Sequence, residues 1–327
     1  LTIFFISVLL FFLGTGIWVA LSMIGVSAIG MMLFTSRPVG DAMATTIWGT
    51  SSSWTLTALP LFVWMGEILF RTKLSENLFK GLSPWMQKLP GGLIHVNVVG
   101  CALFAAISGS SAATVATVGK MSIPELRKRN YPEKILLGSL AGSGTLGLLI
   151  PPSIILIIYG VAVQESIAKL FIAGIIPGIM IALIFMSYVI IWSLINKKEM
   201  PKIVEEFSFI EKVKRSKQLL PVILLISAVI GSIYTGIATA TEAASLGVVG
   251  ALILSYFQKS LTLKTFRSSL LGATKTSCMI AFILAGSTFL SLAMGFTGLP
   301  RNLAIWIQDM NLSPYVLILV LMVFYII

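Results

Sequence analysis

Long apolar stretches restrict what this chain can fold into more than any other feature of its sequence. The clearest ones lie at residues 135–160, 167–195, 236–257 and 271–295. Each reaches or exceeds the roughly 20 residues that an α-helix needs to cross about 30 Å of hydrocarbon. Hydrophobic residues make up 57% of the chain and charged residues 11%, so a soluble fold would have to cover its surface with hydrocarbon. The sequence therefore predicts an all-α, polytopic membrane protein that lies in a lipid bilayer.

The charged residues indicate orientation in the membrane rather than binding to a polyanion. The formal net charge is +11, but Lys and Arg gather in short loops between apolar stretches, as orientation signals do. This distribution argues against nucleic-acid binding. Residues 1–34 are apolar, lack the charged start of a signal peptide and are expected to form the first span. Cys101 and Cys278 lie in separate apolar stretches, which indicates neither a disulfide framework nor a metal cluster.

The segment 91–119 carries basic residues on both sides, which places both flanks in the cytoplasm. It is too short for two full crossings and long for one. Its centre is Ser108-Gly109-Ser110-Ser111, the kind of small-residue sequence that a tight turn needs. We therefore predict a re-entrant hairpin with its tip at these four residues. Non-helical backbone at that depth is tolerated only against protein or water, so the tip is expected to line a cavity.

A second break follows at Ile150-Pro151-Pro152-Ser153, inside the apolar stretch 135–160. Proline removes helical N–H donors, so a proline-interrupted helix exposes carbonyl oxygens. Together with the hydroxyls of Ser108, Ser110 and Ser111, these carbonyls would suit a hard cation such as sodium. The helix N-termini after the tip and after the break would offer N–H groups to a substrate carboxylate.

These features define the candidate substrate-binding residues, which are Ser108, Gly109, Ser110, Pro151, Pro152 and Ser153. An alternative stays open, because Gly and Ser also permit close packing of membrane helices without any ligand.

An internal repeat is the third indication of a carrier. Residues 72–78 and 297–303 share Thr-x-Leu-x-x-Asn-Leu at an offset of 225 residues, and Thr15-Gly16-Ile17 recurs at 235–237. The preceding segments run in opposite directions by the charge count, which predicts an inverted-topology repeat as in secondary transporters. At this offset, partners of the tip and of the proline pair would lie beyond residue 327. We therefore expect a C-terminal truncation of a protein of about 430 residues.

The same patterns divide the chain into four parts. Residues 1–90 are predicted to be scaffold-type helices of the first repeat, and 91–165 to be a transport domain with the hairpin and the interrupted helix. Residues 166–218 form a span and a charged cytoplasmic connector that includes a surface-lying helix as one option. Residues 219–327 are interpreted as an incomplete second inverted repeat.

Three further polar residues have modest predicted roles. Glu67, close to Arg71, is expected to be a snorkelling or salt-bridged residue at a helix end rather than part of a proton relay. Glu242, after Thr239, is expected either to cap a helix or to lie in the transport pathway. His95 is expected to make an interfacial hydrogen bond. We find no catalytic constellation and no phosphate-binding loop, so the chain is not expected to be an enzyme.

Several motifs resemble the large membrane subunit of TRAP transporters, the tripartite ATP-independent periplasmic carriers. They are residues 104–114, with Ile107-Ser108-Gly109-Ser110-Ser111 at their centre, residues 142–153, which end in Ile150-Pro151-Pro152-Ser153, and residues 170–178. Residues 239–244 are similar to a second-half motif of that family, although Ala240 stands where a proline is usual. The resemblance covers the whole chain.

This resemblance implies an elevator-type secondary transporter in the bacterial inner membrane, driven by sodium as the coupling ion and without an organic cofactor. Its implied partners are a small four-helix membrane subunit and a soluble periplasmic substrate-binding protein that delivers an organic acid. C4-dicarboxylates, sialic acid and other sugar or keto acids all suit such a site. One implied sodium site comprises Ser108, Ser111, Gly147, Ile150 and Pro152. The alternative function is a stand-alone sodium/carboxylate symporter of related fold.

Overall fold

The computed structural model describes residues 1–71, 74–201, 207–217 and 219–326, and within these ranges the regular structure is helical. The α-helices, in chain order, are α1 (Thr2–Gly14), α2 (Val19–Phe34), α3 (Val39–Ser51), α4 (Ala58–Phe70), α5 (Leu74–Met86), α6 (Ile94–Ser108), α7 (Ser111–Lys128), α8 (Glu133–Gly144), α9 (Ile154–Val163), α10 (Ile167–Ile195), α11 (Phe209–Ser216), α12 (Leu220–Tyr234), α13 (Ala240–Phe257), α14 (Leu263–Phe296), α15 (Leu299–Asp309) and α16 (Pro314–Ile326). Single 3₁₀ turns lie at Trp54–Thr57 and Thr145–Leu148. The predicted all-α class is confirmed.

The long apolar helices support a multi-pass membrane protein. Among the described residues, α10, α13 and α14 are each long and apolar enough to cross a membrane, and the number rises to five if two neighbouring helix pairs are each counted as one span. Helix α10 matches the predicted stretch 167–195. Helix α14 begins at Leu263, earlier than the predicted 271, because Thr262 and Thr265 exchange backbone-to-hydroxyl hydrogen bonds of 2.8 and 3.1 Å at its start.

The prediction of a single first span over residues 1–34 was wrong. Two shorter helices, α1 and α2, pack against each other instead. The chain turns at Gly16, whose φ is +82°, a conformation that glycine adopts without a steric penalty. The contact is close, since a Cβ atom placed on Gly30 would lie 2.6 Å from the Phe5 ring. Apolar composition alone does not reveal this turn, because both helices are as apolar as one long span would be.

The chain divides into two compact units. One consists of Leu1–Ser53 with the residues from Met279 onward, and its buried side chains include Phe5, Val26 and Phe289. The other is Trp54–Cys278, in which α4 packs against α13, and α6 against α7 and α8. The second unit contains both the hairpin and the proline pair. The functional division into four parts stays a prediction.

Two sequence predictions fall partly outside the described residues. Thr72 and Lys73 of the repeat motif lie there, and so do residues 202–206 of the charged connector. The inverted repeat stays a prediction. The described part of the connector contains the short helix α11, whose Ser216 hydroxyl accepts a hydrogen bond of 2.7 Å from the Trp85 indole of α5. A helix in the connector is therefore confirmed.

Candidate functional site

The predicted hairpin tip is a tight turn between α6 and α7. Helix α6 ends at Ser108, and Gly109 follows with φ +58° and ψ 8°, donating its N–H to the Ala105 carbonyl at 3.0 Å. A left-handed glycine is the usual way to end a helix sharply. Ser110 then caps α7, with its hydroxyl accepting from the Ala113 N–H at 3.4 Å. Gly109 and Ser110 therefore form the whole connection between the two helices.

Hydroxyl groups hold this tip together from within. The Ser108 Oγ lies 2.8 Å from the Thr114 Oγ1 and 3.2 Å from the Ser110 carbonyl oxygen. It also accepts the Ser110 N–H at 3.3 Å. Thr114 is fully buried and Ser108 is 7% exposed. Three oxygen atoms, from two hydroxyls and a carbonyl, thus lie close together at the tip, and no formal charge is among them.

The proline pair interrupts the second helical segment. Helix α8 ends at Gly144, a 3₁₀ turn covers Thr145–Leu148, and α9 begins at Ile154. The Pro151–Pro152 peptide bond is cis. In a continuous helix the carbonyls of Gly147 and Leu148 would accept from residues 151 and 152, but neither proline has an N–H to donate.

The two freed carbonyls have different surroundings. The Ser153 hydroxyl donates to the Leu148 carbonyl at 2.5 Å, which replaces the helical bond that the proline removed. Neither proline can donate to the Gly147 carbonyl, so this oxygen lacks its helical donor and can accept from a ligand. The role of Gly147 as a sodium ligand stays a prediction.

The structure brings the tip and the break into direct backbone contact. The Ile154 N–H, the first of α9, donates to the Gly109 carbonyl at 3.3 Å. A Cβ atom placed on Gly109 would lie 2.9 Å from the Pro152 carbonyl oxygen, and one placed on Gly147 would lie 3.0 Å from the Ser110 carbonyl oxygen. Two glycines therefore allow two segments that are far apart in sequence to form one site.

The predicted site residues differ in burial and in their contacts. Gly109, Ser110, Ser111, Gly147 and Pro152 meet through the backbone contacts across the tip and the break. Ser110, Ser111 and Ile150 are half-buried, and the other predicted site residues are buried. The Ile150 and Pro151 side chains lie against α10, near Gly178 and Gly174 respectively. The Ser153 hydroxyl binds the Leu148 carbonyl.

The prediction that the helix N-termini offer N–H groups needs one correction. The first N–H of α9 is used by the Gly109 carbonyl, so it holds the tip to the break rather than facing a ligand. Ser153 at the start of α9 makes no side-chain capping bond to this helix. The positive end of the α9 dipole is therefore not neutralised by its capping residue.

Two residues that support the site were not predicted from the sequence. Thr114 holds the Ser108 hydroxyl, although its sequence signal was only its place in the motif 104–114. Gly66 of α4 lies under the tip, where an added Cβ atom would be 3.1 Å from both the Ile107 carbonyl oxygen and the Ser108 Cα. The spacing of Thr114, one helical turn after Ser110, could have indicated its role, but no local pattern reveals a contact between α4 and the tip.

The open end of the hairpin is fixed by polar contacts in its flanking loops. The Nε2 of His95 lies 2.7 Å from the Pro90 carbonyl oxygen, which confirms the predicted hydrogen bond of this histidine. The Tyr131 hydroxyl, from the loop after α7, accepts the Leu93 N–H at 3.1 Å. Burial raises the pKa of Tyr131, so this phenol stays neutral at physiological pH. These bonds hold the base of α6 against the α7–α8 loop.

The two singled-out carboxylates both make hydrogen bonds at helix ends. Glu67 forms a salt bridge with Arg71 at 2.7 Å, as predicted. Glu242 accepts the Thr239 N–H at 2.8 Å, and the Thr239 hydroxyl accepts the Glu242 N–H at 3.3 Å. This reciprocal pair is a capping box at the start of α13. Of the two roles left open for Glu242, the structure supports the helix cap.

A conservative substitution tests this role. In a capping box Gln can replace Glu. Glu242→Gln is therefore expected to keep transport near the wild-type rate and to change the melting temperature little. Thr239→Ala is expected to destabilise the protein by about 1 kcal/mol, the usual cost of a lost cap. Thermal unfolding and transport assays measure both effects. A loss of transport in Glu242→Gln with unchanged stability would instead place this carboxylate in the transport pathway.

Fold and site together define a class of protein. The chain is a polytopic helical membrane protein with an uncharged, oxygen-rich site where a helix turn meets a broken helix. The family model described as "Tripartite ATP-independent periplasmic transporter, DctM component" matches residues 5–327. The chain belongs to this family, and the resemblance noted from its motifs is confirmed.

Individual relatives agree with this assignment. The chain is 33% identical to the C4-dicarboxylate TRAP transporter large permease protein DctM of Pseudomonas aeruginosa, over 90% of this chain and 68% of the relative. It is 32% identical to the sialic acid TRAP transporter large permease protein SiaM of Vibrio cholerae, over 94% and 71%. It is 31% identical to the 2,3-diketo-L-gulonate TRAP transporter large permease protein YiaN of Escherichia coli, over 86% and 66%. These relatives are permease subunits, so the chain is a transport protein and not an enzyme.

Proposed function

We propose that this chain is the large membrane subunit of a sodium-driven importer that receives an organic acid from a soluble periplasmic binding protein. The observation that carries the proposal is the contact between the hairpin tip and the proline break, made by the Ile154 N–H and the Gly109 carbonyl. In secondary transporters, ion and substrate sites form where broken helices meet in this way.

Sodium is the proposed coupling ion because the site offers neutral oxygen atoms. The proposed ligands are Ser108, Ser111, Gly147, Ile150 and Pro152. The Gly147 carbonyl without its helical donor and the Ser108 hydroxyl at the tip support this set. A monovalent hard cation binds well to hydroxyl and carbonyl oxygens, and the bilayer interior disfavours the carboxylates that a divalent ion would prefer.

The proposed substrate is a carboxylate that binds beside the same two helix breaks. Candidate contacts are Ser108, Gly109 and Ser110 at the tip, and Pro151, Pro152 and Ser153 at the break. The start of α9 supports this choice through its dipole alone, because no side-chain cap neutralises the dipole while the first N–H is used by the Gly109 carbonyl. The relatives are named for C4-dicarboxylates, sialic acid and 2,3-diketo-L-gulonate, which are all organic acids.

The proposed transport step is an elevator movement in the bacterial inner membrane. Helices α6, α7 and α8 pack on one another, and the hydrogen bond from the Ile154 N–H to the Gly109 carbonyl joins α9 to the tip, which supports a common movement of the hairpin and the interrupted helix. The proposed partners are a small four-helix membrane subunit and the periplasmic binding protein.

Cross-links between helices α6 to α9 and the surrounding helices are expected to trap one facing state and stop turnover. Full-rate transport by a cross-linked protein would contradict the elevator movement.

Uptake into proteoliposomes tests the proposal as a whole. The liposomes would contain the full-length chain and its small membrane partner, and labelled organic acids would be offered with and without an inward sodium gradient and the binding protein. Uptake that requires both additions is the expected result. A potassium gradient of equal size is the matched control. Uptake with sodium alone would favour a stand-alone sodium/carboxylate symporter, and uptake without any sodium gradient would exclude sodium coupling.

A further inference from the structure

A basic groove lies outside the candidate transport site, between the end of α4 and the first turns of α14. Its volume is about 770 Å³. Four basic side chains line it, Arg71 from the end of α4 and Lys264, Arg267 and Lys275 from α14, and none of the lining residues whose side chains the structure describes is acidic. Such a concentration of one sign of charge around an open groove favours an anionic ligand.

The charge of Arg71 is already balanced. Its guanidinium forms the 2.7 Å salt bridge with Glu67 and donates to the Ser268 carbonyl at 3.2 Å, which ties α4 to α14. Gly272 allows this packing, since an added Cβ atom would lie 2.7 Å from a Glu67 carboxylate oxygen. Arg71 therefore lines the groove in a fixed position, and its charge is already compensated by Glu67.

The other three basic residues have no such neutralisation from any side chain that the structure describes. In the part of the chain that the structure describes, no carboxylate lies within ion-pair distance of Lys264, Arg267 or Lys275. All three side chains are exposed. They are three and eight residues apart along the chain, which is close to one and two helical turns. They therefore share one face of α14. The groove thus presents three unbalanced positive charges along one helix face.

Apolar residues alternate with these charges. Leu263 is 85% exposed and Leu271 is 50% exposed, and both line the groove. Helix α14 is itself one of the candidate membrane spans. Lys275 is its thirteenth residue, about 18 Å along the helix at 1.5 Å per residue. A lysine inside an apolar span is costly unless an anion or water compensates its charge.

We propose that this groove binds a phosphate group, supplied by the headgroup of an anionic phospholipid. The three free basic side chains would contact the phosphate, and the exposed leucines would contact the acyl chains. Basic pockets between membrane helices bind anionic headgroups in this way. A lipid source is favoured over free phosphate because the groove combines charge with apolar surface on a candidate span.

Spin-labelled lipids provide the test. The full-length chain would be reconstituted in phosphatidylcholine membranes, and the fraction of motionally restricted label would be compared for phosphatidylglycerol and phosphatidylcholine. The wild type is expected to prefer phosphatidylglycerol. The variant Lys264→Gln/Arg267→Gln is expected to lose this preference by roughly fivefold for each charge removed, since a basic residue near the surface contributes about that factor.

Two control variants separate the groove from general effects. Lys197→Gln/Lys198→Gln removes two exposed lysines after α10 and is expected to keep the preference. Lys264→Arg/Arg267→Lys keeps both charges and is expected to bind like the wild type, which shows that changes at these positions are tolerated. Equal losses in the first control, or full retention in Lys264→Gln/Arg267→Gln, would overturn the proposal.

Inorganic phosphate distinguishes the two sources of the anion. Retention of the restricted lipid when phosphate is added at matched ionic strength is expected, because the acyl chains also contact the groove. Complete displacement of the lipid by phosphate, with sodium chloride ineffective at the same ionic strength, would overturn the lipid assignment in favour of a free phosphate ion.

Discussion

Substitution of Gly109 by alanine is expected to reduce transport at least about tenfold while the chain still inserts into the membrane. Gly109 has φ +58°, a conformation that costs an alanine about 1 kcal/mol. In addition, the new Cβ atom would lie 2.9 Å from the Pro152 carbonyl oxygen and 3.0 Å from the Ile154 nitrogen. The tip would have to move away from the break, and a loss of about 1.4 kcal/mol already corresponds to a factor of ten.

Gly138→Ala is the matched control for this substitution. Gly138 lies within α8, is exposed, and an added Cβ atom would meet nothing within 4 Å. Alanine in a helix interior is expected to stabilise the protein by about 0.5–1 kcal/mol and to leave transport unchanged. Uptake assays and thermal unfolding of both variants would be compared. Normal uptake by Gly109→Ala would mean that the contact between tip and break is not required for transport.

Ser108→Ala is expected to raise the sodium concentration for half-maximal uptake roughly tenfold. The Ser108 hydroxyl lies between the Thr114 hydroxyl and the Ser110 carbonyl, at 2.8 and 3.2 Å. Its removal would take away a proposed ligand and leave the buried Thr114 hydroxyl without this partner. The loss of one such interaction is worth about 1 kcal/mol or more. The measurement is initial uptake across a series of sodium concentrations.

A second measurement separates a sodium ligand from a packing residue. Sodium that binds the folded state should raise the melting temperature of the wild type, whereas potassium should not. Ser108→Ala is expected to lose most of this sodium-dependent shift. Ser187→Ala removes an exposed hydroxyl that donates to the Leu183 carbonyl of its own helix, and it should keep the shift. A lowered melting temperature with an intact sodium shift would assign Ser108 to packing alone.

The packing and the ligand interpretations of the small residues are compatible in this structure. Gly66, Gly109 and Gly147 each lie where an added Cβ atom would be about 3 Å from a neighbouring backbone atom. Close packing therefore occurs, as the alternative interpretation expected. This close packing also places the Ser110 carbonyl oxygen beside Gly147. The glycines that allow the tip to touch the break therefore also bring backbone oxygen atoms together.

Local chemistry explains which features could be predicted. Gly109 follows the last residue of α6 and precedes a serine that caps α7, so the turn is encoded within a few residues. The proline pair interrupts the helical segment because neither residue has an N–H to donate. The Glu242 cap, one of the two roles expected for this residue, also depends on a residue three positions away. Each of these elements lies where the sequence predicted it.

Features that depend on distant contacts were missed or left open. One further miss was local, because Gly14-Thr15-Gly16 is a turn signal within the apolar stretch, and the single span expected there is two helices that pack on each other. The role of Gly66 depends on α4 lying against the tip, and the role of Arg71 on α14 lying beside α4. No periodicity in either helix contains that information.

By itself, the sequence determined the membrane environment, the helical class, the family and the two helix breaks, because apolar length, proline and glycine act through neighbouring residues and the surrounding solvent. Only the tertiary structure decided that the Gly109 carbonyl meets the Ile154 N–H, that Thr114 holds Ser108, and that three basic residues of α14 share a groove with Arg71. These pairings join residues on different helices or across a turn, and packing selects them through shape and hydrogen bonding rather than through sequence spacing.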